Sequence, residues 1–346
     1  MRAVVFEQVG KVRVAEVPDA VIEEPDDAVV RVTRSAICGS DLHFYHGKAP
    51  MMTGEGIGHE AVGRVESVGA GVSRFSPGDR VVVAFDIACG SCWFCRRGET
   101  HLCEHFRNLG AGAFGGGLPG AQADLVRVPT ADVNLLPVPD GIDDERALFV
   151  GDVLTTGFYG ASLAAIRPEE TVAVIGCGPV GFFCIQAAVA LGSGRVYALD
   201  LDPRRLALAE RAGAVAVDVR RRNAEMALAG VTDGRGADVA IDAVGSPAAY
   251  ESALDVVRRG GRVVVVGMYA GETVSLQLGV YWARALDVRF AGLCPVHAWW
   301  EDAMAEVVAG RIDPVPVISH RLTLDDAPRG YELFANREAT KVVLLP

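Results

Sequence analysis

Lysine is nearly missing from this chain: Lys11, Lys48 and Lys341 are the only three, and arginine supplies the rest of the 33 basic residues. Positive charge is also in short supply. Forty-four acidic residues leave a net charge of −11, so the basic field of a nucleic-acid or membrane-surface binder is absent and neither partner is expected. Met1 to Glu7 carries neither the apolar run nor the small-residue cleavage site of an export signal, and a cytoplasmic protein is expected. Long apolar helices are lacking too. Thr171 to Gly194 has no charge over 24 positions, but Gly176, Gly178, Pro179, Gly181 and Gly192 break it into strand, turn and helix, against a membrane span.

The 346 residues suffice for two domains, and with 50% hydrophobic and 22% charged residues the chain is globular. Four of its eight cysteines crowd into fifteen positions: Cys89, Cys92, Cys95 and Cys103. In a chain without an export signal such spacing reads as metal binding rather than disulfides. Four thiolates close a tetrahedral shell around zinc and leave no open position, so this site is expected to be structural. The alternative is four reduced thiols in a loop. His101 lies inside the cluster and is expected to face solvent.

Elsewhere, Cys38 stands in Cys-Gly-Ser-Asp-Leu-His43, and His59-Glu60 follows about twenty residues later. Alone these are weak signals, since cysteine and histidine are often ordinary core residues.

The middle of the chain is more specific. An apolar strand from Thr171 leads into Gly176-Cys-Gly178-Pro179-Val180-Gly181, a helical run follows, and a second strand ends at Asp200, nineteen residues after Gly181. This is the dinucleotide-binding fingerprint: glycines for the turn, backbone approach and close packing, with the diphosphate on the helix N-terminus. Asp200 is expected to bind the ribose hydroxyls and to repel a 2′-phosphate, favouring NAD over NADP, although Arg204 and Arg205 could hold a phosphate. Alternating strands and helices to about residue 292, among them a helix from Ala248 to Arg258 and a strand from Arg262 to Val266, predict a doubly wound parallel sheet. Residues 1–150 show short strands between Gly and Pro turns, including Arg2–Phe6, Val29–Thr33, Ala61–Val68 and Arg80–Val83, which predict a barrel-like domain. The closing strand Lys341–Leu345 is expected to return to that domain.

With these motifs in this order, the sequence resembles the zinc-containing alcohol dehydrogenases of the medium-chain dehydrogenase/reductase superfamily over essentially its whole length. Its likeness is closest to their bacterial tetrameric, formaldehyde-dehydrogenase-like branch. The resemblance implies an α/β plus β fold: a GroES-like β-barrel catalytic domain (1–152 and 293–346, with a zinc lobe at about 86–107) and an inserted Rossmann domain (153–292). It implies two Zn²⁺ ions per chain, one held by Cys38, His59 and Asp152, where Asp152 could instead merely cap the following helix. Glu60 would sit behind that metal as a transient ligand or a salt-bridge partner. Ser40 and His43 would relay the proton of a zinc-bound alkoxide as hydride passes to NAD. Phe85, Leu293 and Cys294 would line the substrate pocket. Arg205, Val244, Gly267, Leu293 and Lys341 would join the glycine loop in binding NAD. The implied activity is oxidation of an apolar primary or secondary alcohol, or reduction of its carbonyl, by a homotetramer. Alternatives are a polyol or amino-alcohol dehydrogenase, a glutathione-independent formaldehyde dehydrogenase or dismutase, and a coenzyme-binding protein without catalysis.

Overall fold

A computed structural model describes residues 1–269 and 271–346. It divides into two compact units. The first comprises residues 1–152, 295–308 and 313–346; the second comprises 153–294 and 309–312.

In the first unit, Val and Ala alternate with polar residues along the strands, and the apolar faces close on one core that includes Val30, Val32, Ala61, Val65, Val81, Val83 and Leu135. Six strands follow one another in the order His320–Thr323, Val342–Leu345, Ala28–Ile37, Glu60–Val68, Arg80–Val83 and Leu135–Pro137, and Leu125–Val128 adds to Ala28–Ile37. All pairings are antiparallel except His320–Thr323 with Val342–Leu345. The final strand thus returns to the first unit, with Val342 opposite Ile37. Register positions the chemistry. Ala36 lies opposite Glu60, so Cys38, just beyond one strand, and His59, just before the next, emerge at the same end of the sheet. A second core, with Val4, Ile37, Ile57, Tyr331 and Phe334, supports that end.

The second unit is a six-stranded parallel sheet in the order Val215–Asp218, Arg195–Asp200, Thr171–Ile175, Ala237–Asp242, Val257–Val265 and Asp287–Phe290. Helices Pro179–Ala190, Pro203–Arg211 and Pro247–Val256 connect its strands, and each has Pro in its first turn, where a missing N–H costs nothing. The uncharged run from Thr171 becomes the strand Thr171–Ile175 and the helix Pro179–Ala190. Among the described residues no helix is long and apolar enough to cross a membrane.

Two differences from the sequence expectation have local causes. The strand expected to start at Arg262 starts at Val257 and runs through Arg258, Arg259 and two glycines, because Ala237 pairs with Val257 across an irregular register. The edge strand Asp287–Phe290 was not expected, since three of its four residues are exposed and its pattern is not apolar.

Candidate metal centres and coenzyme loop

Cys38, His59, Glu60 and Asp152 converge, each offering one ligand atom, with those atoms within 4.8 Å of one another. Asp152 follows the single turn Phe149–Gly151, and that turn packs directly on a strand: a Cβ at Gly151 would lie 2.3 Å from the Val83 carbonyl oxygen. The Phe85 N–H donates to the Gly151 carbonyl at 3.1 Å. A side chain at position 151 would push Asp152 away from the other two groups.

Cys38 Sγ and His59 Nε2 lie 3.5 and 3.2 Å from the same oxygen, Asp152 Oδ2. Ser40 Oγ is 3.3 Å from His59 Nε2. On the other side of the imidazole, Nδ1 lies 3.1 Å from Asp41 Oδ1. With Asp41 facing Nδ1, a proton kept on that nitrogen would free Nε2 to offer its lone pair to a cation.

A sulfur, a ring lone pair and a carboxylate oxygen thus meet in a buried space, and either protons or a cation must lie among them. Burial, aided by the Asp152 and Glu60 charges, pushes the Cys38 thiol up. Burial alone would pull His59 down, but the charges of Asp41 and Cys38 outweigh it and raise it well above its usual value. Burial would push Asp152 up, yet its hydrogen bond from His59 holds it below the usual carboxylate range. The donor set of Cys38, His59 and Asp152 fits a catalytic zinc, whose binding would displace these protons.

Glu60 Oε1 receives Lys341 Nζ at 2.5 Å, and neither side chain has exposed surface. Burial lifts Glu60 to about 7 against the pull of the ammonium. The Lys341 ammonium also lies 5.7 Å from the centroid of the Phe149 ring. Lys341, expected to bind the coenzyme, is fully buried here and engaged by Glu60.

His43 is half-buried on the short helix Asp41–Tyr45. Phe85 is buried with its ring 6.1 Å from that of His59. Leu293 is exposed and Cys294 buried, both in the second unit.

The second cluster is the four-cysteine lobe. All eight cysteines are free thiols. Cys92 Sγ lies 3.4 Å from Cys95 Sγ and 3.9 Å from Cys103 Sγ, and Cys89 Sγ lies 4.0 Å from Cys95 Sγ. Backbone N–H groups of Cys92, Cys89 and His105 point at the sulfurs of Cys89 and Cys103 from 3.3 to 3.4 Å. At Cys89 burial is outweighed by the N–H groups of Ser91 and Cys92, which lower the thiol to about 6. Four sulfurs at this spacing, supplied with amide donors, fit a closed zinc site. His101 is outside the cluster.

In the second unit, the chain passes from Ile175 into the helix Pro179–Ala190 so tightly that a Cβ at Gly181 would sit 1.9 Å from the Gly176 carbonyl oxygen. Gly178 faces open space, with only Arg205 Nη1 within 4 Å of where its Cβ would be. An open backbone at a helix N-terminus with a guanidinium beside it suits a diphosphate. Val244 packs over Gly176, and Gly267 over Gly245. Asp200 Oδ2 accepts from the Cys177 N–H at 2.7 Å and Oδ1 from the Asp202 N–H at 2.8 Å. It therefore holds the loop as well as ending the strand.

Sequence reasoning assigned no role to Asp41, Gln122 or Tyr331, all fully buried around His59, or to Asp86 and His297, buried beside the zinc lobe. Asp41 was within reach, since it lies inside the Cys38 motif; the others carry no local signal.

Residues 24–140 match the family model of the alcohol dehydrogenase GroES-like domain, and residues 179–309 that of zinc-binding dehydrogenases. The chain is similar to the uncharacterized zinc-type alcohol dehydrogenase-like protein AdhB of Bacillus subtilis, at 37% identity over all of both chains. It is 32% identical to an alcohol dehydrogenase of Cupriavidus necator, over 100% of this chain and 99% of that one. The solved structure of alcohol dehydrogenase TADH from Thermus sp. ATN1 matches with a TM-score of 0.96 and 43% identity, covering 100% of this chain and 99% of the other. Identity of this extent, running from end to end, makes the chain a member of the zinc-dependent alcohol dehydrogenases of the medium-chain dehydrogenase/reductase superfamily, oxidoreductases that interconvert alcohols and carbonyl compounds with zinc and a nicotinamide coenzyme.

Proposed function

We propose that this enzyme oxidises apolar primary or secondary alcohols with NAD, or reduces the corresponding carbonyls, at the centre formed by Cys38, His59 and Asp152. The observation that carries this reading is the meeting of Cys38 Sγ and His59 Nε2 at one buried oxygen of Asp152. Zinc there supplies Lewis acidity to the substrate oxygen, and the coenzyme accepts or returns hydride. One thiolate, one carboxylate and a neutral imidazole leave the bound dication formally uncharged. A fourth ligand from Glu60 would make the site negative and weaken it as an electrophile; Lys341 holds that carboxylate at 2.5 Å.

Ser40, with Oγ 3.3 Å from His59 Nε2, takes the proton of the substrate hydroxyl. His43, half-buried three residues on, passes it towards solvent, with a reference pKa suited to the task. Phe85, buried beside the His59 ring, gives the substrate an apolar wall.

The choice of NAD rests on the Asp200 carboxylate at its strand end, which repels a 2′-phosphate. Free cysteines throughout suit the reducing cytoplasm. Self-association into a tetramer is supported by the second unit's edge strand Asp287–Phe290, with Phe290 exposed, and by the exposed apolar residues Leu278, Val280 and Trp282 of the helix Leu278–Ala283.

The test is a coenzyme-reduction screen across primary, secondary and polyhydric alcohols with both coenzymes, alongside metal analysis. The proposal expects two zincs per chain and a kcat/KM for NAD well above that for NADP with apolar alcohols. A preference for polyols, or for NADP, would overturn the substrate or coenzyme assignment respectively.

A further inference from the structure

The buried polar network behind His59 extends well past Asp41. Asp41 Oδ2 accepts from the Cys38 N–H at 2.9 Å and from Gln122 Nε2 at 3.1 Å, while Oδ1 faces His59 Nδ1. Gln122 Nε2 also donates to the Ala36 carbonyl at 3.1 Å, and Gln122 Oε1 accepts from the Tyr331 hydroxyl at 2.9 Å. The orientation of that amide is determined, because a flip would turn its oxygen towards a carbonyl and a carboxylate. Asp41, Gln122 and Tyr331 have no exposed surface.

Packing locks the same groups. A Cβ at Gly58, the residue before His59, would lie 2.3 to 2.6 Å from the Gln122 side chain, so the amide rests against the turn that presents the histidine. The Tyr331 ring stacks on Tyr45, at 5.5 Å between centroids. Tyr45 closes the short helix that Asp41 opens. Hydrogen bonds therefore run without a gap from Tyr331, on the helix Ala327–Ala335, to Asp41, and the last step to the imidazole is the 3.1 Å approach of Asp41 Oδ1 to His59 Nδ1.

We propose that Gln122 and Tyr331 are positioning residues for the metal centre, holding Asp41 in the rotamer that fixes the His59 ring and so setting how tightly the Cys38–His59–Asp152 site keeps its zinc. Asp41 receives two hydrogen bonds on Oδ2, from the Cys38 N–H and Gln122, and turns Oδ1 to His59 Nδ1 in a space closed to water. Without the Gln122 donor, no water replaces it, one anchor of the carboxylate rotamer is gone, and more of its charge is directed at the imidazole N–H. Tyr331 acts one bond further back, by orienting and polarising the amide. This inference rests on reading the site as a zinc centre.

The experiment compares zinc release to a competing chelator from the intact two-zinc protein, from Gln122→Met and from Tyr331→Phe. The visible spectrum after Co²⁺ exchange is recorded for each. Asp152→Ala identifies which released zinc belongs to the histidine site. Partners of metal-bound histidines typically contribute about 10–100-fold to affinity, so Gln122→Met is expected to lose that zinc about tenfold faster and Tyr331→Phe about threefold faster. The four-cysteine zinc should be released at the wild-type rate, and the ligand-field bands of the histidine site alone should shift. Unchanged release and an unchanged spectrum, with only a lower melting temperature, would overturn the proposal by making both residues structural. Should Gln122→Met fail to fold, Tyr331→Phe, which removes a single hydroxyl, decides the matter by the same two readouts. A wild-type protein that holds only the four-cysteine zinc overturns the site itself, before any variant is compared.

Discussion

Lys341 Nζ lies 2.5 Å from Glu60 Oε1, and the two residues, 281 positions apart, are both fully buried. A buried pair is costly to break on one side, because the remaining charge has neither water nor a partner. Lys341→Met is therefore expected to destabilise the first unit by about 3–5 kcal/mol. For a unit of this size that is a fall in melting temperature on the order of ten degrees. The double variant Glu60→Gln/Lys341→Met, which removes both charges, should recover most of the loss in a double-mutant cycle. Equal melting temperatures for the single and double variants would show that the pair is not coupled.

Asp152 follows a turn seated on a strand, where a Cβ at Gly151 would lie 2.3 Å from the Val83 carbonyl oxygen, and its carboxylate faces Cys38 and His59. Asp152→Ala should consequently leave the fold intact while removing one of two zincs per chain and lowering kcat/KM by at least about a thousandfold, the scale of losing a principal electrostatic group. Circular dichroism, metal analysis and steady-state kinetics check the three parts. Retained turnover with both zincs still bound would leave Asp152 only the helix-capping role.

Legibility in the sequence followed distance along the chain. The four-cysteine run and the glycine loop are contained in short segments, where spacing alone dictates which backbone groups can meet. Cys38, His59 and Asp152 needed a family resemblance to be grouped, since 93 residues separate the last two, and only the pairing of Ala36 with Glu60 shows why the first two emerge together. Gln122 and Tyr331, 209 residues apart, join through a side-chain amide that has no sequence pattern at all. The pairing of Lys341 with Glu60 was illegible for the same reason, since 281 positions separate the two. The edge strand Asp287–Phe290 escaped notice because its exposed, charged residues lack the apolar run of its neighbours.

The zinc lobe has almost no apolar core. Cys89, Cys92 and Cys95 are only half-buried, and its helical turns, Cys95–Arg97 and Thr100–Leu102, are three residues each. The metal must supply the folding energy that packing does not. Cys92→Ser should reduce the zinc content from two to one per chain and lower the melting temperature, with kcat at 10–15 °C within about threefold of wild type, because a closed tetrathiolate site has no role in the reaction. A kcat that falls as steeply as stability at low temperature would assign the lobe a part in catalysis.

His297 makes one unit of the protein sensitive to mild acid. Its Nε2 donates to Asn134 Oδ1 at 2.8 Å, an oxygen that also accepts from the Ala88 N–H, and its Nδ1 lies 4.0 Å from Asp86 Oδ1. Burial pulls the imidazole down to about 4. The facing acid gives little help, because burial holds Asp86 protonated well above the usual carboxylate range. Between the unfolded value near 6.5 and the folded value of about 4, the unfolded chain takes up a proton that the folded one refuses, so stability falls as pH falls through that window. A shift of that size corresponds to about 3 kcal/mol at the acid end. His297→Gln keeps a donor for Asn134 and cannot titrate. Its stability relative to wild type should therefore improve steadily from pH 6.5 to pH 4 in parallel denaturant titrations, the contribution of Asp86 being common to both proteins. A difference that stays constant across that range would mean the imidazole is already charged in the folded state.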